Sequence, residues 1–578
     1  MRAFADRPGV NSRAMLTGWL AGVVLCLSAL PVYAGALEEG LQDPRVAEII
    51  TTGVRERPLA VLPRSANIIT ADDIALLPSS NIVDLLAREA NLNLRSVLGN
   101  AKFSGVDIRG QGDTYSSNVQ VLVDGVRLNA ADLSGADYSS IPLDQIERIE
   151  VIRGANTVRY GSGAVAGVIN IITKQAGEGV GLNARARAGS YATVDTGLGA
   201  SWGGEQFSLA GDVSYHDSDG YRDNSGLETK DLTGRLGYQP STWFSTGLRG
   251  DWHRDTYGLP GPVSKDDDPT SANSLTDGGT TDDNRARLDF VLGTEQTGVL
   301  KVIGSLRDRE NNYSLGKAAD SVPDIITQDD TRLEAQYDKS VEFWQRTHSF
   351  TLGVDLVQTD YAREVFFNDE LGDLINAKVG DIRETAWFAA ADVTLSESVV
   401  LSLGYRADDF SNSGGTYSLD CDPADKGPIL GFPQLEWQCN EGAPKSLQPY
   451  DILPDPVYSN SWRNSAVEAG LVYSPTDSSS WFFSYAQSFR NPNVDELIVA
   501  DDDLGPQTGD HFDIGTRQQF GDVVEWNLAL FYTKTENEIL FGMAPDGITP
   551  VNRNADELTK RTGGETDVRW YVLSSLTL

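Results

Sequence analysis

GVDIRGQGDTYSSNVQVLVDGVRLN, residues 105–129, and PLDQIERIEVIRGANTVRYGSGAVAGVINIITK, residues 142–174, contain three short runs rich in β-branched residues: Val119 to Val123, Ile146 to Ile152 and Val165 to Thr173. Such side chains fit a pleated surface, and each run stops at glycine or Asp-Gly, where the chain has room to reverse. The pattern predicts a small mixed sheet. Asp124-Gly125 is its clearest turn, because the favoured two-residue hairpin needs positive φ at both central positions. Gly154, Gly161, Gly163 and Gly167 remove side chains where backbone must pass close to backbone.

Two short helices are expected ahead of this sheet, one opening at Ala71-Asp72-Asp73-Ile74 and one over Asn81 to Leu86. Both have polar or acidic first turns, and the second carries an apolar stripe of Ile82, Leu85 and Leu86 that suits docking on the sheet.

From about residue 180 the texture changes to segments of roughly 9 to 14 residues with period-two alternation. Val399, Leu401, Leu403 and Tyr405 alternate with Ser402, Gly404 and Arg406, and Trp526, Leu528, Leu530 and Tyr532 alternate with Asn527 and Ala529. These segments are long enough to cross a bilayer at a tilt. Short connections (203–205, 396–398, 474–479, 521–522) alternate with long ones (255–282, 311–326, 362–379, 411–460, 490–509, 538–558), as in an outer-membrane barrel with tight turns inside and long loops outside. About sixteen full strands and the start of another are counted before Leu578.

The N-terminus has the three parts of a secretory leader over residues 1–34: Arg2, Arg7 and Arg13, an apolar stretch from Leu16 to Leu30, and Val32-Tyr33-Ala34. That stretch is too short for a comfortable membrane span and no segment elsewhere has 18 or more apolar residues, so helical membrane passage is not expected. The formal net charge is −36, and removal of a leader with three arginines and one aspartate takes it to −38, far from a nucleic-acid binder. Cys26 belongs to the leader, which leaves Cys421 and Cys439 as an even pair in one segment rich in Pro, Gly and Asp. A disulfide between them is expected, worth about 3 kcal/mol in the chain-entropy picture.

No catalytic constellation is seen. The four histidines, His216, His253, His348 and His511, lie on separate segments without HExxH or i, i+4 spacing, so they read as isolated and exposed. Neither a nucleophile elbow nor a P-loop occurs. Acidic clusters at Asp266-Asp267-Asp268, Asp282-Asp283, Asp329-Asp330, Asp408-Asp409 and Asp501-Asp502-Asp503 read as a solvated rim, with 266–268 and 501–503 as weak calcium candidates on account of their hard oxygens.

The first region resembles the plug of the TonB-dependent receptor family, motif by motif. Val106 to Gly110 (with Arg109 and Gly110) resembles the family's I-R-G, and Val121 to Val126 (with Asp124 and Gly125) its V-L-x-D-G-x run. Glu147 to Gly154 (Glu147, Arg148, Glu150, Arg153, Gly154) and Tyr160 to Thr173 (Tyr160, Gly161, Gly167, Asn170) resemble its two most recognisable lines. A segment with Glu48, Ile49, Ile50, Thr51, Thr52 and Gly53 is similar to the TonB box: a β-prone hexamer among Pro44, Pro58 and Pro63 that can add as a strand to a partner's sheet edge.

The resemblance implies an α+β plug over 65–176 inside a transmembrane antiparallel β-barrel over 180–578, with a periplasmic tether over 35–64. The implied function is TonB-dependent active uptake of a scarce solute, a ferric siderophore first and cobalamin or another metal chelate next, with no enzymatic activity. A passive porin or adhesin is the rival from another class, and it has no use for a plug and tether. The implied partners are a TonB-type inner-membrane protein, outer-membrane lipid and lipopolysaccharide, and the chelate, for a monomer in the outer membrane of a Gram-negative bacterium. No resident cofactor is implied; iron enters only as cargo. Arg109, Arg148 and Arg153 are expected to meet barrel carboxylates. Phe489-Arg490-Asn491-Pro492-Asn493 and Val494 to Leu497 resemble motifs of haem-binding members, but no histidine separates them, which weakens haem as cargo. The family closes its barrel with 22 strands. The sequence therefore reads as stopping short of closure by on the order of a hundred residues, since bare strand edges facing lipid are costly.

Overall fold

The computed structural model describes residues 49–577 except 53–54, 78, 80, 91, 97–101, 103, 316–321, 367–373, 419–425, 429–436, 440–457, 499, 501–502, 522, 544–549 and 574–575. Ile49–Thr52 and Arg55–Pro58 pair as an antiparallel hairpin, a two-stranded sheet separate from the sheet of the plug.

The β-branched runs build the expected mixed sheet. Its order is Ala66–Thr70, Ile146–Arg153, Gly167–Thr173, Val119–Val123 and Val126–Arg127, with one parallel pairing, Val119–Val123 on Gly167–Thr173. Asp124 (φ 50°) and Gly125 (φ 85°) form the two-residue turn, and Val123 pairs with Val126 across it. Gly167 is needed for close approach, since an added Cβ would lie 2.7 Å from the Ile152 carbonyl oxygen.

The first helix, Ala71–Leu76, starts in a capping box between Thr70 and Asp73. The second, Ile82–Glu89, is capped by Asn81, whose side chain accepts from the Asp84 amide. Ile82, Leu85 and Leu86 are buried with Ile149, Val151 and Ile169 in the main apolar core. At roughly 1.5 to 3 kcal/mol for each large aliphatic side chain, that core stabilises the plug as a unit.

Around it runs a 17-stranded sheet in chain order, from Gly179–Ala188 to Thr559–Leu573 and the two-residue Leu576–Thr577, with every neighbouring pair antiparallel. Among the described residues the sheet is open, with no register joining its first and last strands. Polarity is inverted relative to a water-soluble protein. On Arg346–Phe366, Phe350, Leu352, Val354 and Leu356 are exposed outward while Thr351 and Asp355 are buried inward, because hydrocarbon is the outer solvent.

Strand length departs from the sequence expectation. Leu374–Ser396 runs 23 residues and Val322–Phe343 runs 22, beyond a bilayer crossing. Ladder pairing continues past the membrane because polar residues satisfy an exposed hairpin as well as a loop does. Asp282-Asp283, Asp329-Asp330 and Asp408-Asp409, read as loop clusters, therefore lie within strands. Consecutive residues face opposite sides of a strand, so Asp408 is buried in the lumen while Asp409 is exposed.

Candidate functional site: the seam between plug and barrel

A plug that fills a polar lumen turns that lumen into an interior. Its charges then need partners, because an uncompensated buried charge is costly. Arg109 stands in left-handed backbone (φ 59°) followed by Gly110 (φ 71°), which turns its side chain onto the wall. Its guanidinium donates to both oxygens of Glu565 at 3.0 and 3.1 Å, lies 2.7 Å from Asp513 and stacks 4.3 Å from the Phe531 ring. Burial lowers its pKa, but Asp513 and Glu565 outweigh this and leave it raised. Gly154 (φ 82°) sits against this pair, and a Cβ there would lie 3.1 Å from Arg109 Nη1. Arg153 approaches Glu565 at 3.7 Å while donating to the Ala90 carbonyl at 2.6 Å.

For Arg148 the described ion pair lies within the plug, with Glu150 at 2.9 Å. Glu150 also accepts from Asn170 at 3.0 Å, so Arg148, Glu150 and Asn170 tie adjacent plug strands together. Glu147 is exposed and lines a cavity on the short-turn side. Tyr160 packs in a second apolar cluster of the plug. Gly161 (φ 78°) admits the barrel's buried Arg406, whose Nη2 lies 2.9 Å from where a Cβ would stand. Arg406 in turn meets Glu384 at 2.8 Å and Asp408 at 3.2 Å.

Elsewhere the polarity reverses. Asp124 at the hairpin tip pairs with Arg249, accepts from the Thr173 hydroxyl at 2.7 Å, and receives Arg287 on its carbonyl. Lys102 keeps the polarity of Arg109, a plug cation that pairs with Asp255 of the barrel as well as Asp137 of the plug, and it donates to Thr281 at 2.8 Å. Burial raises the Asp137 carboxyl, yet Lys102 and then His253 hold it well below the ordinary carboxylate range.

The Phe489–Asn493 run clamps the plug apex. The Asn491 amide donates to Ser162 at 3.0 Å, the Asn493 side chain to Ser117 at 3.3 Å and the Val494 amide to the Ala131 carbonyl at 3.1 Å. Arg490 makes a two-pronged pair with Glu496 at 2.7 and 3.0 Å, and Asn493 and Glu496 cap each other across the first turn of the helix Val494–Ile498. Below this clamp lies a cavity of about 150 Å³ bordered by Arg127, Asp330, Arg332 and Glu384.

The histidines were expected to be exposed; His216 is half-buried, and His253, His348 and His511 are buried. His253 lies 2.7 Å from Asp231 and 3.1 Å from Asp255; His511 lies 2.8 Å from Ser488 and 3.2 Å from Thr533. The plug, through Lys102 and Arg109, covers the wall around His253 and His511, whereas His348 is buried at a short turn of the barrel, 2.9 Å from the Phe343 carbonyl and 3.2 Å from the Thr394 amide.

Asp137, His253 and Asp255 form the one cluster with metal-ligand spacing among the described residues. The Lys102 ammonium already holds both carboxylates. The calcium candidates Asp266, Asp267 and Asp268 are exposed, and Asp267 and Asp268 accept from Ser264 and Thr270 of their own loop. Glu48, Gly53, Cys421, Asp501 and Asp502 lie outside the described residues, as does the Cys439 side chain; Ile49–Thr52 are described by their backbone, and Asp503 is exposed.

Lys102, Arg249, Arg406, Asp513 and Glu565 escaped the sequence reading as seam residues. Inward strand register marks charged candidates such as Arg249 and Arg406, but which plug group each one meets depends on how the plug is seated.

A family model described as TonB dependent receptor-like, beta-barrel, matches residues 214–578, and the TonB-dependent Receptor Plug Domain model matches 58–168. Among solved structures, the unliganded ferric citrate transporter FecA aligns at TM-score 0.74 and 16% identity, over 90% of this chain and 76% of its own. The ferric yersiniabactin uptake receptor FyuA from Yersinia pestis aligns at 0.69 and 17%, over 89% and 77%. The ferric-catecholate import receptor Fiu from E. coli K12, closed form, aligns at 0.68 and 19%, over 90% and 79%.

Proposed function

Because the chain belongs to the TonB-dependent receptor family, we propose that it imports a large, scarce solute of the ferric siderophore class across the outer membrane of a Gram-negative bacterium. The leader over 1–34 is removed on export in this reading. The observation that carries the proposal is a lumen filled by a plug with its own sheet and apolar core, tied to the wall by buried ion pairs of both polarities. Breaking a buried pair so that its partner is left without a counter-ion costs on the order of 3 to 5 kcal/mol. A passive pore or adhesin has no use for such a stopper, whereas a pump does, provided work is delivered from elsewhere.

The work enters through the tether. Glu48 to Gly53 is the segment that a TonB-type partner grips, and Ile49–Thr52 is already extended, with one edge paired to Arg55–Pro58. A partner strand adds to the other edge through main-chain hydrogen bonds. No step needs a resident cofactor, and iron travels only within the chelate. The named cargoes of the three structural relatives are ferric chelates, which favours this class over cobalamin.

The test is uptake of radiolabelled iron from a panel of ferric chelates, with labelled cobalamin in parallel, by cells expressing the full chain or the chain lacking residues 48–53. Uptake of one ferric chelate that is lost on deletion, with surface binding kept, is the expected result. Uptake that persists after the deletion contradicts the pump, and uptake of cobalamin alone contradicts the cargo.

A further inference from the structure

The plug hairpin borders two cavities at once. Val126 and Arg127 line the 150 Å³ cavity under the Phe489–Asn493 clamp, while Asp124 and Gly125 line a second cavity of about 970 Å³ toward the short turns. The wall repeats the division. On strand Gly298–Leu315, Ser305 borders the upper space and Lys301 the lower; on strand Val322–Phe343, Arg332 borders the upper and Asp338 the lower. Inward positions recur every second residue, which leaves Ile303, Glu334 and Gln336 between the two spaces, at 5, 8 and 0% exposure. Gln336 Oε1 is buried there without a hydrogen-bond partner among the described residues, so this constriction holds unused polar capacity.

We infer that the Asp124-Gly125 hairpin is the gate of the transport path, and that its withdrawal joins the two cavities into one passage lined by Ile303, Glu334 and Gln336. The hairpin is suited to move. Val126–Arg127 lies at one edge of the plug sheet and is held by two register pairs, so its withdrawal leaves the pairing of the core strands Ile146–Arg153 and Gly167–Thr173 in place and costs the ties of Asp124 to the second of them: its amide to the Ile171 carbonyl at 2.8 Å and its carboxylate to the Thr173 amide at 2.9 Å and hydroxyl at 2.7 Å. Its latch is electrostatic, with Arg249 on the Asp124 carboxylate and Arg287 on the Asp124 carbonyl. On the opposite wall, Ser402 and Ser484 border a cavity of only about 20 Å³ against Arg64 and Asn156. The role of the gate rests on the uptake reading above, but the geometry does not.

The test uses the full chain in outer membranes with single-cysteine reporters and a membrane-impermeant maleimide. Ile303→Cys reports the constriction, Ser402→Cys reports the opposite wall, and the unsubstituted chain gives the background from the native cysteines. Each reporter is labelled in the parent and with Asp124→Ala, and also with the isosteric Asp124→Asn in case the alanine variant fails to assemble. Loss of the latch shifts the closed and open populations, so labelling of Ile303→Cys is expected to rise by about an order of magnitude or more while Ser402→Cys stays unchanged. Equal labelling of both reporters, labelling of Ser402→Cys alone, or no change in either overturns the gate. No cargo enters the measurement, so failure of the uptake reading shows in the tether-deletion experiment and not here.

Discussion

The plug grips the barrel at Arg109 and at Asp124 in opposite ways. Arg109 is a plug cation held by Asp513, Glu565 and the Phe531 ring. Asp124 is a plug anion held by Arg249 and Arg287, beside the larger of the two cavities its hairpin borders. Removing Arg109 takes the ion-pair partner from the buried Asp513 and leaves Glu565 only the 3.7 Å approach of Arg153, whereas removing Asp124 leaves Arg249 with Asp251 at 2.7 Å. The first contact is built as an anchor and the second as a latch.

The sharpest way to break this contrast is Arg109→Ala. It is expected to cost about 3 to 5 kcal/mol of plug seating, seen as an earlier thermal transition and faster proteolysis of the plug in detergent. Arg109→Lys restores charge without the two-pronged geometry and is expected to recover only part of this loss. Gly161→Ala tests the seat of Arg406. Positive φ and crowding by the guanidinium together predict a loss of about 1 to 3 kcal/mol in the same melt. Asp124→Ala is expected to cost only about 1 to 2 kcal/mol, because its main partner keeps a counter-ion. Arg463→Ala removes an ion pair whose side chains are 90% and 67% exposed, and no measurable change in melting is expected.

Acid gives an independent reading of the Lys102 contact. The Asp137 carboxyl is lowered in the folded state, so it contributes stability that is present above its unfolded pKa of about 4 and is lost as pH falls through and below that value. Melting followed between about pH 7 and pH 3 should show this loss. Asp137→Asn should flatten the corresponding part of the profile.

Much of the architecture was legible because it rests on local rules. The β-branched runs, Asp124-Gly125, the polar first turns of the two helices and the period-two strands each state their structure within a few residues. The seam was less legible. Arg148 looks in sequence like Arg109 and Arg153, yet it serves the plug's own sheet through Glu150. His253 and His511 were read as exposed because a strand pattern tells which residues face the lumen but not which of them the plug covers. The Phe489–Asn493 run was weighed as a ligand motif and is a clamp on Ser117 and Ser162, extended by Val494 to Ala131.

The asymmetry between anchor and latch is tested most directly by backbone amide hydrogen exchange on the intact, unliganded protein. The amides of Val126 and Arg127 on the hairpin are predicted to exchange well before those of Ile108 to Gln111 around the anchor, because the local opening of lowest cost occurs first. Earlier exchange at Ile108 to Gln111, or simultaneous exchange of both segments, would contradict a plug that is anchored on one side and gated on the other.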